Sequence, residues 1–191
     1  LARVDQVIQV HSRVYKEAEL ENSSIESWSL EFLRPGEMNT FTSIPKIQPV
    51  VSGLNEIVGG SFFKILIDAA HCGDGELSIG ANELLIAESA SRGEFNVFHA
   101  SVPTTRGCHA SDRGWVAPLL KVAVDAGRLE YVFIEVFQHS DPILEALREY
   151  DPRHGVDTSE GRGYIDVVCD NLGYLANQLN SLQCQSSVER S

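Results

Sequence analysis

Apolar and polar positions alternate between two periods along this chain, and the switches between them mark its elements. Residues 2–20 place Val4, Val7, Ile8, Val14, Tyr15 and Ala18 roughly on one side, which predicts an amphipathic helix. The short run "SWSLEFL" has strand length and is broken by "RPGE". Residues 42–58 return to the helical period and close on "VGG", a glycine stop signal. "FFKILIDAA" predicts a second strand, "HCGDGELSIG" a glycine-rich loop and "ANELLIAESAS" a helix. "FNVFHAS" predicts a third strand, followed by the polar loop "VPTTRGCHASDR", a helix over 115–126 and a fourth strand in "EYVFIEVF". Short and long helices are predicted over 142–150 and 164–182, with a frayed tail at 184–191.

Four successive strand–helix units predict an α/β fold with a parallel sheet and right-handed crossovers. The strands read as continuous apolar runs, the pattern of a sheet covered on both faces. Residues 1–183 are taken as one domain, with the 2–20 helix leading it.

Into this apolar pattern the chain sets ionisable residues at one phase of the repeat. Glu31 lies in "SLEFL", Asp68 ends "KILID", His99 ends "NVFH" and Glu135 lies in "FIEVF", at intervals of 37, 31 and 36 residues. A (β/α)8 barrel spends about 31 residues per unit and builds its active site at the C-terminal ends of its strands. Each strand therefore brings one metal-ligating residue type to the catalytic end. Each of these residues alone has a plain structural role open to it, as a hydrogen-bonded core histidine or a salt-bridge partner. Four at one phase point instead to a site for a divalent cation. The mixed oxygen and nitrogen donors suit Mn²⁺, Mg²⁺, Co²⁺ or Zn²⁺ over thiolate-loving ions. His71, three residues past Asp68, Glu37, six past Glu31, and Arg106, seven past His99, fall on loops at the same end. A guanidinium there can hold a substrate oxygen. Arg106 and Arg113 are equally readable as loop salt bridges, and Glu37 as a charge favouring a helix N-terminus. His109, Asp112 and His139 also lie near loop ends, while Trp28 and Trp115 read as packing residues.

Composition narrows the function further. The 191 residues carry 15 Lys and Arg against 27 Asp and Glu, a formal net charge of −12. Such a chain repels nucleic acid and anionic membranes, and its basic residues form no patch. No apolar run reaches the length of a membrane span, and the charged N-terminus does not resemble a signal peptide. Cys72, Cys108, Cys169 and Cys184 have no CxxC spacing and are read as reduced thiols of a cytoplasmic protein.

The segments "LEFLRPGE" (30–37), "LIDAAH" (66–71), "HASVPTTRG" (99–107) and "FIEVF" (133–137) resemble the xylose-isomerase-like TIM barrels, and within them the D-tagatose 3-epimerase group. Where that group carries Asn-Arg-Phe after its first Glu, this chain has "FLRPGE". The resemblance implies a (β/α)8 barrel of which this chain holds the C-terminal half. It implies that Glu31, Asp68, His99 and Glu135 bind a divalent metal, Mn²⁺ first among the choices. Glu31 and Glu135 would double as the acid/base pair of a sugar epimerase or isomerase, working on a ketose through an enediolate. Glu37, His71 and Arg106 would bind the sugar. A keto-sugar or keto-inositol lyase or dehydratase shares this barrel and its metals. A non-catalytic half-barrel subunit is a further alternative, and the acidic charge argues against an apurinic endonuclease. Half a barrel exposes two strand edges, so a missing N-terminal half or a homo-oligomer is expected to complete it.

Overall fold

The computed structural model describes residues 2–103, 112, 114–136, 142, 145–150 and 163–188. Helix α1 (Ala2–Glu17) and a 3-10 turn at Leu20–Asn22 precede β1 (Trp28–Glu31) and α2 (Ile44–Val58). Then follow β2 (Phe63–Asp68), α3 (Ala69–Gly73), α4 (Ile79–Ser91), β3 (Phe95–Ala100), α5 (Val116–Asp125), β4 (Tyr131–Ile134), α6 (Glu145–Tyr150) and α7 (Tyr164–Val188). The strands form one sheet in the order β1-β2-β3-β4, and every neighbouring pair is parallel. The expected α/β architecture is present.

Period-two alternation sorts each strand between two faces. On β2, Phe63, Ile65 and Ile67 are fully buried and join a core with Val50, Val51 and Leu54 of α2, Ile86 of α4, and Leu119 and Leu120 of α5. Helix α1 adds Val4, Val7 and Ile8 from outside α2. The two helices meet closely: a Cβ at Gly53 would stand 2.6 Å from Ile8 Cδ1. Gly59 ends α2 in the left-handed conformation, φ 73°, as its stop signal predicts.

The opposite face departs from the expected continuous burial. On β4, Val132 and Ile134 pack toward the core, but Tyr131 and Phe133 are 52% and 50% exposed. The apolar run is thus a one-sided strand whose second face is open. The stretch "IDAA" also departs from the predicted strand-then-loop. Asp68 Oδ1 accepts from the backbone N–H groups of Ala70 (2.6 Å) and His71 (3.1 Å), so the chain turns into α3 at once. Helix α7 continues past its predicted end at residue 182 to Val188.

At the N-terminal ends of the strands, a buried polar knot fastens α2 to the sheet. Asn55 Nδ2 donates to Phe63 O at 2.9 Å, and Asn55 Oδ1 accepts from Phe63 N at 2.9 Å. Asn55 Nδ2 also reaches Glu94 Oε1, while Gln48 and Ser52 donate to Glu94 Oε2. Asn55→Leu strands these groups, and each buried orphan costs about 1–3 kcal/mol. The expected result is a urea midpoint lowered by about 2–3 kcal/mol of stability with an unchanged denaturant slope. An unshifted midpoint contradicts this role.

Candidate metal centre

Parallel strands bring their C-terminal ends to one edge, and the sheet register does the rest. Glu31 ends β1 and Asp68 ends β2, with His99 beside Asp68 on β3 and Glu135 just beyond β4. One donor atom from each of these four lies within 4.8 Å of all the others. His99 Nδ1 stands 3.7 Å from Glu31 Oε1, 3.6 Å from Asp68 Oδ2 and 3.8 Å from Glu135 Oε2. These separations are too long for hydrogen bonds. They are those of donor atoms gathered around a common point.

The four residues fit a divalent cation. Glu31 Oε1 and His99 Nδ1 are buried with no hydrogen-bond partner. Buried polar atoms are rarely left so, and three carboxylates in one cluster repel one another. A cation at the common point satisfies both conditions. Asp68 has its other oxygen fixed: Oδ1 accepts from Ala70 N, His71 N and Ser101 Oγ, the last at 2.6 Å, which leaves Oδ2 facing the cluster. Held outer partners of this kind orient a ligand before the metal arrives.

Burial by itself lowers the His99 pKa, but attraction to Asp68 and Glu135, reinforced by the charge of Glu31, outweighs it and lifts the pKa to about 10. At the distances involved this attraction is the pull of the clustered charges. A metal must bind the deprotonated ring nitrogen, so between pH 7 and 9 each ion bound displaces one proton. The apparent metal affinity is expected to rise about tenfold per pH unit in that window and to level off above pH 10. Calorimetry in buffers of different ionisation enthalpy reads the released proton. An affinity flat from pH 7 to 9 contradicts it.

Around the cluster, His71 is 3% exposed on α3, with Nε2 3.4 Å from Glu31 Oε1 and 4.0 Å from Asp68 Oδ2. Glu37 Oε2 stands 3.8 Å from His71 Nδ1, so both sequence-predicted residues reach the site's edge. Arg106 lies outside the described residues, as do His109, Arg113 and His139. Asp112 accepts from Trp115 N and Val116 N, capping the start of α5. Cys72 and Cys169 are free thiols, and burial pushes the Cys72 thiol far above its usual pKa, leaving it inert.

Three residues of the site went unassigned in the sequence: Ser101, Arg34 and Asp74. Ser101 shares the phase of His99, two positions on, and that alternation was its only signal. Arg34 stands three before Glu37, a pairing distance in a tight turn, and lies 3.2 Å from it. Asp74 pairs with Arg34 at 3.8 Å across a sequence gap that no local pattern reveals.

No family model matches the chain, and no curated protein matches it. Its fold matches a solved structure of L-ribulose 3-epimerase with a TM-score of 0.71 at 15% sequence identity. The chain folds as half of a TIM barrel. The match covers 96% of this chain and 56% of the other, so this chain spans about half the length of the structure it resembles. At that identity the likeness is one of fold.

Proposed function

We propose that this chain is the metal-binding half of a sugar epimerase or isomerase acting on a ketose, of the D-tagatose 3-epimerase kind. The observation that carries this is the four-residue cluster with a glutamate at each end of its row. Bound there, a divalent cation supplies Lewis-acid polarisation of the ketose carbonyl and its neighbouring hydroxyl and favours the enediolate.

The protein's own groups divide the remaining work by exposure. The Asp68 side chain is fully buried and serves only to hold. Glu31 and Glu135 are 29% and 30% exposed in their side chains, at β1 and after β4 respectively, on either side of Asp68 and His99. One takes the proton from the carbon between carbonyl and hydroxyl, and the electron pair of that C–H bond passes into the enediolate. The other returns a proton to the opposite face, which inverts the carbon. His71, Glu37 and Arg106 contact the sugar's oxygens. Phe133, ring to ring with His99 at 5.8 Å, offers an apolar wall beside them. The name of the structural neighbour, a ketose 3-epimerase, agrees with this chemistry.

The edge strands β1 and β4 and the open face carrying Tyr131 and Phe133 favour a further set of strands, from a preceding half of the protein or from a second copy. Mass measurement of the natural protein separates the two.

The test of the activity is a ketose and aldose panel assayed in D2O with added Mn²⁺ or Mg²⁺. Interconversion with one solvent deuterium fixed at the inverted carbon is expected. Loss of water from the product indicates a dehydratase, and no interconversion across the panel with metal bound overturns the proposal.

A further inference from the structure

Arg34 is charged, yet only 5% of it is exposed. It lies in the turn that carries the chain from Glu31 to Glu37. Its Nε stands 3.2 Å from Glu37 Oε1 and its Nη1 3.8 Å from Asp74 Oδ2, so the guanidinium sits between two carboxylates. Its backbone N–H donates to His71 Nδ1 at 3.2 Å. A ring nitrogen that accepts an N–H keeps its lone pair, so the His71 proton is assigned to Nε2. Nε2 is the nitrogen turned toward Glu31 Oε1. Glu37 is 3.8 Å from Nδ1 but cannot take its proton while Arg34 N–H occupies that position.

We infer that Arg34 is a positioning residue that sets the hydrogen-bond polarity of the sugar-facing edge, an inference that rests on the epimerase proposal for its substrate. Its main chain fixes His71 as a donor at Nε2, and its guanidinium fixes Glu37 as an acceptor. Asp74 completes the pairing from the far side and anchors the turn to the end of α3. A ketose at this edge meets a donor for a carbonyl or hydroxyl oxygen and an acceptor for a hydroxyl proton. A buried arginine suits this role because its guanidinium stays charged between the two carboxylates and its planar shape addresses both, which the point charge of a lysine does not reproduce. The tautomer is set on the side of the ring away from the four ligands and does not depend on what they hold.

Nitrogen-15 NMR of the histidine-labelled protein reads each ring nitrogen directly. The expected wild-type result is an unprotonated His71 Nδ1 and a protonated Nε2, with and without Mg²⁺. Arg34→Gln keeps the backbone N–H but removes the charge that anchors its turn between Glu37 and Asp74. The N–H is then no longer held against His71 Nδ1, and the two tautomers are expected to mix. Its kcat/KM on a ketose falls about 10–100-fold, the usual effect of losing an outer partner, while Mg²⁺ uptake persists. Arg34→Lys recovers only part of that loss. Should Arg34→Gln fail to fold, Asp74→Asn, which leaves Arg34 in place, is expected to give the same mixing in milder form. A wild-type His71 protonated at Nδ1 overturns the inference, and so does an unchanged tautomer in the folded Arg34→Gln or Asp74→Asn protein. The spectrum needs no turnover. If no sugar is interconverted but the tautomer behaves as stated, the epimerase proposal fails and the positioning role stands.

Discussion

Under the proposed mechanism, Glu135→Gln and Glu31→Gln are each expected to lower ketose turnover by on the order of 10²–10⁴-fold, the usual worth of a positioned acid or base. Glutamine matches glutamate in size, so neither change opens a cavity. What each removes is a group able to take and return a proton, together with one anionic donor to the cluster. In that mechanism the two glutamates act on opposite faces of one carbon, so the losses are expected not to add: once either proton transfer fails, inversion stops. Exchange separates them further. The variant that keeps the abstracting glutamate continues to wash solvent deuterium into unreacted substrate, while the other shows neither exchange nor inversion. Glu88→Gln, on the exposed surface of α4, is the control and leaves turnover unchanged. Equal activity in Glu31→Gln, Glu135→Gln and Glu88→Gln removes the acid/base assignment.

The second large effect concerns stability. A ligand that binds only the folded state stabilises by RT ln(1 + [L]/Kd), about 2.7 kcal/mol at a hundredfold excess over Kd. Saturating Mn²⁺ is therefore expected to raise Tm by several degrees in the wild-type protein. Asp68→Asn is the discriminating variant. An asparagine in that place still offers Oδ1 to Ala70 N, His71 N and Ser101 Oγ, so the turn into α3 survives. The other atom becomes an amide nitrogen, which has no lone pair for a metal. The variant folds and its Tm no longer responds to Mn²⁺. The same metal-induced rise in both proteins places the ion elsewhere.

The four clustered residues were legible in the sequence because ionisable residues interrupt strands that are otherwise apolar. Glu31, Asp68, His99 and Glu135 announce themselves against "SLEFL", "KILID", "NVFH" and "FIEVF", and parallel topology then forces them to one edge. The helices were legible from their period, as with Gly59 closing α2. Contacts between distant segments were not. Nothing in the segments around Asn55 and Glu94 signals that they meet, yet they do so beside Phe63 at the start of β2. Arg34 and Asp74 pair across the mouth of two adjacent units, and their neighbours in sequence say nothing of it. The brevity of β2 was missed because "DAA" continues its apolar run, whereas the Asp68 carboxylate captures the next backbone amides and bends the chain. The open face of β4 was missed for a different reason. Tyr131 and Phe133 look like core residues by type, and only the sheet's one-sided helical cover shows where they point.

Four strand ends are expected to hold one divalent ion. Crystals of the protein grown or soaked in Mn²⁺ test it directly through the anomalous signal of the metal. A single strong peak is expected about 2.0–2.3 Å from donor atoms of Glu31, Asp68, His99 and Glu135 together. A fully occupied ion elsewhere, or no ion among these four under saturating Mn²⁺ with the fold intact, contradicts it.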